Sequence, residues 1–277
     1  YTVRNTLSLH DALPIWLLVL TALLARAAVA EEVQPVAEPF SLSRVQLLDG
    51  PFHDAMERNA AYLLELEPDR LLSRVREYAG LEPKAPCYGG WESQGISSHS
   101  LGHYLSACAL QYAATGDERF KERVAYIVSE MALCQAKHGD GYVAGIPRGH
   151  EIFAEVAAGD IRSHGFDLNG GWVPWYTTHK LLAGLRDAWL YCKLDQARDV
   201  ATRLADYCWS VVDGLSDEQM QRMLACEHGG MNEVSADLYA LTGEERYLKM
   251  ARKFYHKAVL GPLARGEDDL AGLHANT

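Results

Sequence analysis

Glutamates, histidines and tryptophans that could act as acids, bases or ligand contacts cluster around three glycine pairs of the sequence. The pairs are Gly89-Gly90, Gly170-Gly171 and Gly229-Gly230, and each precedes a segment with helical periodicity. A glycine pair lets the backbone turn sharply, and the helix N-terminus after it presents free N–H groups and the positive end of the helix dipole. If the helices stack side by side, the residues near these pairs should converge into one cup: Trp91, Glu92, His99, His103, Trp172, Trp175, His179, Glu227, His228, Asn232 and Glu233.

Two of the glutamates could divide the work of an acid and a base. Glu92 and Glu233 each follow a glycine pair, and a pair of carboxyl groups is what glycoside hydrolysis requires. Capping of a helix N-terminus explains each glutamate at least as well, because a carboxylate there accepts hydrogen bonds from free N–H groups. The sequence leaves both interpretations open.

Two histidines and two tryptophans have similarly divided interpretations. His99 and His103 lie one helical turn apart, which is the spacing of a metal-binding pair. The segment lacks the adjacent glutamate of the zinc-protease motif, so a ligand contact or a structural hydrogen bond is favoured over a metal. Trp172 and Trp175 flank Pro174 before a helix, and their flat apolar faces suit either core packing or a sugar ring.

The elements that position these residues are repeated helical hairpins. Residues 101–117 carry an amphipathic stripe and stop at Thr115-Gly116, after which Asp117 should cap a second helix. Similar breaks occur near Cys192-Lys193 and at Thr242-Gly243. The pattern predicts an all-α repeat architecture.

In the second hairpin, the apolar side of the first helix should face the core, and a histidine of the same helix should point towards the cup. The apolar positions are Leu181, Leu182 and Leu185, and the histidine is His179. Strand candidates are few, and the best of them is residues 141–146.

Composition limits the class of protein. The chain has 277 residues, which allows one large or two small domains. A hydrophobic content of 48% and a charged content of 23% exclude a disordered chain. The net charge of −11, without a basic stripe, argues against a nucleic-acid partner.

The N-terminal part of the sequence needs separate treatment. Residues 1–15 resemble a non-native leader, and residues 16–30 resemble the remnant of a secretory signal that ends in Ala28-Val29-Ala30. The apolar run is too short to span a membrane. The sequence therefore predicts an extended lead-in at residues 31–48, a domain over residues 49–277, and a secreted or periplasmic protein.

The six cysteines form neither a C-x-x-C motif nor a zinc-ribbon pattern. Four of them fall in apolar helical runs and should pack in the core as small hydrophobic side chains. The roles of Cys87 and Cys226, which lie beside glycine-rich loops, stay open. The four core cysteines are Cys108, Cys134, Cys192 and Cys208.

Four segments together resemble the β-L-arabinofuranosidase-type glycoside hydrolases of families 127 and 146. They are GGWESQGISSHSLGHYLSACALQYAATGD, NGGWVPWYTTHKLLAGL, EHGGMNEVSADLYALTG and LAGLHANT, and the resemblance extends over about residues 40–277. It implies an (α/α)6 toroid of helical hairpins, incomplete because the chain is truncated. It also implies hydrolysis, with retention, of terminal β-L-arabinofuranosides in plant-derived oligosaccharides or glycoproteins.

The resemblance implies a zinc cofactor in the full-length parent enzyme. In these families a cysteine nucleophile shares a zinc ion with two further cysteines and a glutamate, and a separate glutamate is the acid/base. Those residues belong to an E-x-C motif and a later Cys-Cys pair, and neither pattern occurs in this sequence. We therefore expect the catalytic residues and zinc ligands to lie downstream of Thr277, and this chain to be inactive alone.

The resemblance implies that this chain forms the sugar-facing wall of the pocket. The expected substrate-binding residues are Trp91, Glu92, His99, His103, Trp175, His179, His228, Asn232, Glu233 and His274.

Two other functions stay open. A toroidal lyase or epimerase would use His179 or His228 to abstract a proton from a sugar, without zinc. A non-catalytic helical repeat domain would bind a glycan or a protein partner. Zinc content separates the glycosidase from both, and activity on an aryl β-L-arabinofuranoside separates an enzyme from a binder.

Overall fold

Helices account for most of residues 40–269, the part of the chain that the computed structural model describes. The predictions for residues 1–39 and for His274 lie outside the described residues. All elements named below belong to the unit that begins at Ser41. The all-α prediction is confirmed by the α-helices of the described residues: α1 (Pro51–Glu65), α2 (Pro68–Tyr78), α3 (His99–Thr115), α4 (Glu118–His138), α5 (Gly149–Ala157), α6 (Pro174–Cys192), α7 (Asp195–Val212), α8 (Asp217–Met223), α9 (Met231–Thr242), α10 (Glu245–Lys253) and α11 (Lys257–Ala264).

The helices form two rows, as expected of a toroid built from hairpins. One row contains α3, α6 and α9, with α6 packed between the other two. The second row contains α4, α7 and α10, with α7 in the middle. Each helix of the first row is followed directly by its partner in the second, so three hairpins, α3–α4, α6–α7 and α9–α10, lie side by side.

The turns of these hairpins lie where the sequence predicts them. Helix α3 ends at Thr115 and helix α9 at Thr242, and the glycine after each helix adopts the left-handed conformation. Asp117 caps α4, because its side chain accepts a hydrogen bond from the Arg119 N–H at 3.1 Å. Helix α6 ends at Cys192, and Lys193 makes the turn with a φ of +58°.

The strand content of the described residues is small, and the predicted strand is wrong. Residues 141–146 are a buried irregular segment, because Gly141 turns the chain at a φ of +95° and the segment then packs among helices. Three two-residue strands instead form an antiparallel sheet before α6: β1 (Ser163–His164), β2 (Asp167–Leu168) and β3 (Gly171–Trp172).

Helices α3 and α6 cross with almost no space between their backbones. A Cβ added at Gly102 would lie 2.2 Å from the Lys180 carbonyl oxygen, and one added at Gly184 would lie 2.5 Å from the Gly102 carbonyl oxygen. Only glycine fits at two such positions. The crossing brings the N-terminal turns of both helices together.

The core lies between the two rows. Leu101 and Leu105 of α3 face it, together with Leu181, Leu182 and Leu185 of α6, and all five are fully buried as predicted. The core prediction is also confirmed for the cysteines Cys108, Cys134, Cys192 and Cys208, which are buried free thiols. Among the described helices, none is both long enough and apolar enough to cross a membrane.

Candidate functional site

A cavity of about 270 Å³ lies where the N-terminal ends of α3 and α6 meet the loop before α9. Each of the three glycine-pair loops contributes to its wall, so the prediction that these loops share one face is confirmed. The lining residues are Trp91, Ile96, His99, Phe166, Trp172, Val173, Tyr176 and Glu227.

The cavity has a buried floor and an exposed rim. Ile96, His99, Val173 and Glu227 are each less than 8% exposed and form the floor. On the rim, Trp91 is 64% exposed and Phe166 is 47% exposed. The aromatic side chains of Trp172 and Tyr176 lie between these two levels and are partly buried against the core.

Glu92 lies beside the cavity and caps helix α3. Its carboxylate accepts hydrogen bonds from the backbone N–H of Ser98 at 2.9 Å and of Ser100 at 3.3 Å, and lies 3.2 Å from the His99 ring. Burial acts to raise the pKa of Glu92, but the hydrogen bonds outweigh it and lower the pKa. Of the two interpretations of Glu92, capping fits the structure, since its carboxylate is ionised and fully engaged.

Tyr176 connects the cavity to a group of polar side chains that we call the polar face. The polar face comprises His103, Tyr176, His179, Lys180 and Glu233. The Tyr176 hydroxyl lies 3.4 Å from His103 Nε2, and the Lys180 ammonium lies 4.9 Å from the centre of the Tyr176 ring. Burial lowers the pKa of Lys180, while the negative charges of Glu233 and Glu227 act in the opposite direction.

His179 of the polar face is held as a neutral imidazole. The backbone N–H of Gly230 donates to His179 Nδ1 at 3.1 Å, so in the neutral ring the proton is on Nε2. Burial above all, together with the charges of Lys180 and Arg186, lowers the pKa of His179 to about 3. At neutral pH this imidazole is therefore a hydrogen-bond donor through Nε2 and has no free lone pair.

Of the predicted contacts, Trp91 and His99 line the cavity, whereas Trp175 and His228 are buried and belong neither to its lining nor to the polar face. Trp175 is 1% exposed and packs in the core, where its indole N–H donates to Met223 Sδ at 3.0 Å and its ring contacts Phe153. Trp172, three residues earlier, is half-buried and lines the cavity in place of Trp175. His228 is buried with Nδ1 3.2 Å from the Cys226 carbonyl oxygen, and burial lowers its pKa to about 4.

The remaining predicted residues lie at the first turn of α9. Glu233 is exposed and belongs to the polar face, whereas Glu92 is a buried cap, so the two carboxyl groups have different environments. Asn232 is half-buried beside Glu233.

The described residues do not fit a zinc–cysteine centre. Nowhere within residues 40–269 do three His, Cys, Asp or Glu side chains converge in a way that could hold a metal ion. Burial raises the pKa of the thiols of Cys108, Cys134 and Cys192 to about 11, and that of Cys226 to about 12. These cysteines are protonated at neutral pH, whereas a zinc ligand is a thiolate.

Five residues of the site were not named as candidates from the sequence: Ile96, Phe166, Val173 and Tyr176, which line the cavity, and Lys180 of the polar face. A signal for two of them exists in the sequence. Tyr176 and Lys180 lie four apart, so their spacing places them together on the side of α6 opposite its leucines. The β-turn that carries Phe166 has no comparable periodicity.

The site and fold together define a class of protein. Stacked helical hairpins with an aromatic cavity beside polar donors and acceptors are suited to carbohydrate ligands. The family model for the catalytic domain of GH127 β-L-arabinofuranosidases matches residues 44–277, and the chain belongs to this glycoside hydrolase family.

The fold is also found among solved structures. One of these is the crystal structure of Ara127N-Se, a GH127 β-L-arabinofuranosidase from Geobacillus stearothermophilus T6, with a TM-score of 0.50 and 17% sequence identity. The alignment covers 80% of this chain and 33% of that chain, so this chain spans about a third of its relative. No curated protein sequence matches the chain.

Proposed function

We propose that this chain forms the sugar-binding wall of a β-L-arabinofuranosidase and that a terminal β-L-arabinofuranosyl group binds at the cavity. The observation that supports this is the junction of two surfaces at Tyr176, which lines the aromatic cavity and also belongs to the polar face. A sugar ring has the matching pair of surfaces, because its C–H faces pack on aromatic rings and its hydroxyls need donors and acceptors.

Each part of the site has a role in this proposal. The rings of Trp172 and Tyr176 pack against the sugar. His179 Nε2–H and the Lys180 ammonium donate hydrogen bonds to hydroxyl groups. The carboxyl group of Glu233 accepts from them. The low pKa of His179 keeps its ring neutral, with Nδ1 accepting from the Gly230 N–H and the proton on Nε2.

Hydrolysis with retention needs a nucleophile and an acid/base in addition to this wall. In our proposal these come from the zinc-bound cysteine and the glutamate that the resemblance implies, whose E-x-C and Cys-Cys motifs do not occur in residues 1–277. The substrate in this proposal is a plant-derived, arabinose-containing oligosaccharide or glycoprotein, which a secreted or periplasmic enzyme meets outside the cytoplasm.

A lyase or epimerase with a histidine base has less support. His179 Nδ1 already accepts a hydrogen bond and its Nε2 carries the proton, so it has no lone pair with which to take a proton. His228 is buried away from the cavity. A non-catalytic glycan-binding domain would use the same cavity, and turnover in the parent enzyme distinguishes it.

The test is a calorimetric titration of the purified chain with methyl β-L-arabinofuranoside. We expect saturable binding, and an increase in Kd of about tenfold for His179→Ala, which corresponds to the loss of one good hydrogen bond. The matched control is His53→Ala on α1, remote from the cavity, which should leave Kd unchanged. Absence of binding by the unmodified chain, or an equal effect of both substitutions, would contradict the proposal.

A further inference from the structure

The two rim residues of the cavity combine a fixed backbone with an exposed ring. Trp91 lies in the 3-10 turn Gly90–Ser93, where its carbonyl oxygen accepts from the Gln94 N–H at 3.1 Å. The next residue, Glu92, is buried and hydrogen-bonded to the start of α3. The indole is nevertheless 64% exposed, with its ring centre 6.1 Å from that of His99.

The backbone of Phe166, the second rim residue, is fixed in the same way. Its carbonyl oxygen accepts from the Val173 N–H at 3.0 Å, and the neighbouring Gly165 carbonyl oxygen accepts from the Glu227 N–H at 2.8 Å. These bonds hold the β1–β2 turn against both α6 and the loop before α9. The phenyl ring is still 47% exposed.

Two large exposed rings on rigid supports at one cavity mouth indicate a binding surface. Apolar surface in contact with water is unfavourable, and a ligand that covers both rings removes that surface from water. A rigid support keeps the ordering cost of binding low. The cavity behind the rim is small, about 270 Å³, so a longer ligand must extend outward between Trp91 and Phe166.

We propose that Trp91 and Phe166 form a second subsite, which binds the sugar next to the terminal arabinofuranosyl group. This inference rests on the proposed function, because it takes the cavity as the place of the terminal sugar. The ligand class is then an oligosaccharide, recognised through at least two rings. The exposed rings stack on the C–H face of the second ring, while its hydroxyl groups stay in water.

The test compares three ligands on the purified chain by calorimetry: methyl β-L-arabinofuranoside, a β-linked L-arabinofuranosyl disaccharide, and 4-nitrophenyl β-L-arabinofuranoside. We expect the disaccharide to bind about tenfold more tightly than the methyl glycoside. Trp91→Ala and Phe166→Ala should each weaken the binding of the disaccharide more than that of the methyl glycoside, and so remove most of that advantage. The control is Phe52→Ala on α1, another exposed aromatic that does not line the cavity.

The outcomes separate this inference from the proposed function. Equal affinity for the methyl glycoside and the disaccharide overturns the second subsite but leaves the proposed function intact. A gain for the nitrophenyl glycoside without one for the disaccharide assigns the rim to an apolar group and overturns the sugar assignment. If no ligand binds the unmodified chain, the proposed function fails and the second subsite fails with it.

Discussion

A single backbone hydrogen bond determines what His179 can do. With the Gly230 N–H on Nδ1, protonation of the ring would break this bond and place a charge in a buried site next to Lys180. The loop that contains the Gly229-Gly230 pair thus selects the His179 tautomer with the proton on Nε2, because the Gly230 N–H occupies Nδ1. The glycine pair matters here because a Cβ at Gly229 would lie 2.6 Å from His179 Nδ1.

The first prediction concerns the pH dependence of His179. The pKa of His179 is about 3 in the folded chain and about 6.5 in the unfolded chain. Between these two pH values the unfolded chain therefore binds one more proton than the folded chain does. The free energy of unfolding should therefore fall as the pH decreases from about 6.5 towards 3. Nitrogen-15 spectra of the imidazoles should show neutral His179, protonated on Nε2, at pH 5.

Urea unfolding at pH 7 and at pH 5 measures the predicted change in the free energy of unfolding directly. His179→Gln should reduce the loss of stability between the two pH values, since glutamine does not titrate. His53→Gln, at a half-buried position of α1, is the control for the loss of a histidine elsewhere in the chain. An imidazolium signal from His179 at pH 5 would show that the Gly230 hydrogen bond does not hold.

At the scale of the element, the start of α3 depends on a carboxylate from outside the helix. Ser98 at the N-cap has a φ of +72° and its side chain does not cap, so Glu92 accepts the N–H bonds instead. We predict that Glu92→Gln lowers the free energy of unfolding at pH 7 by about 1–2 kcal/mol, because charge-assisted bonds become neutral ones.

The pH dependence of this cap has a definite sign. Because the pKa of Glu92 is lowered in the folded chain, its stabilising effect is complete above the ordinary value of 4.5 and is lost as the pH falls through the folded value. Urea unfolding of Glu92→Gln should thus converge with the unmodified chain in acid. Glu57→Gln, at an exposed position of α1, serves as the control and should have little effect at either pH.

The crossing of α3 and α6 gives a sharper prediction. Gly102→Ala would place a methyl group 2.2 Å from the backbone of Lys180, which can yield only if the helices separate, so we expect a loss of about 3 kcal/mol in urea unfolding. Gly214→Ala is the matched control, because no atom lies within 4 Å of its added Cβ, and it should change stability by less than about 0.5 kcal/mol. Similar urea-unfolding midpoints for the two variants would show that the backbones of α3 and α6 are not in contact.

Sequence patterns sufficed for the elements whose signals are local. Gly116 and Gly243 end helices because a left-handed residue favours glycine, and the leucines of α6 face the core because their spacing follows the helical repeat. The choice between Trp172 and Trp175 depended on tertiary contacts. Trp175 begins α6 next to Met223 and Phe153, which come from distant parts of the chain, and no local pattern shows that those residues meet it.

At the scale of the whole molecule, several groups of the described hairpins that could take part in cleaving a glycosidic bond are held in states unsuited to it. Glu92 is occupied as a cap, His179 and His228 have depressed pKa values, and the buried thiols of Cys108 and Cys226 have raised ones. The family relationship meanwhile assigns the chain to a catalytic domain, and the chain spans about a third of its structural relative. Binding and bond cleavage should therefore be separable in this protein.

The last prediction follows from that separation. The purified chain should bind methyl β-L-arabinofuranoside yet release no L-arabinose from 4-nitrophenyl β-L-arabinofuranoside, since loss of a catalytic nucleophile alone costs on the order of 10⁶ in rate. Elemental analysis should find zinc well below one equivalent per chain, because a bound zinc needs three or four converging ligands. Robust turnover would direct attention to Glu227 and Glu233, whose substitution by glutamine should then abolish it. One equivalent of zinc would instead make Cys87 and Cys226 the first ligands to replace by serine.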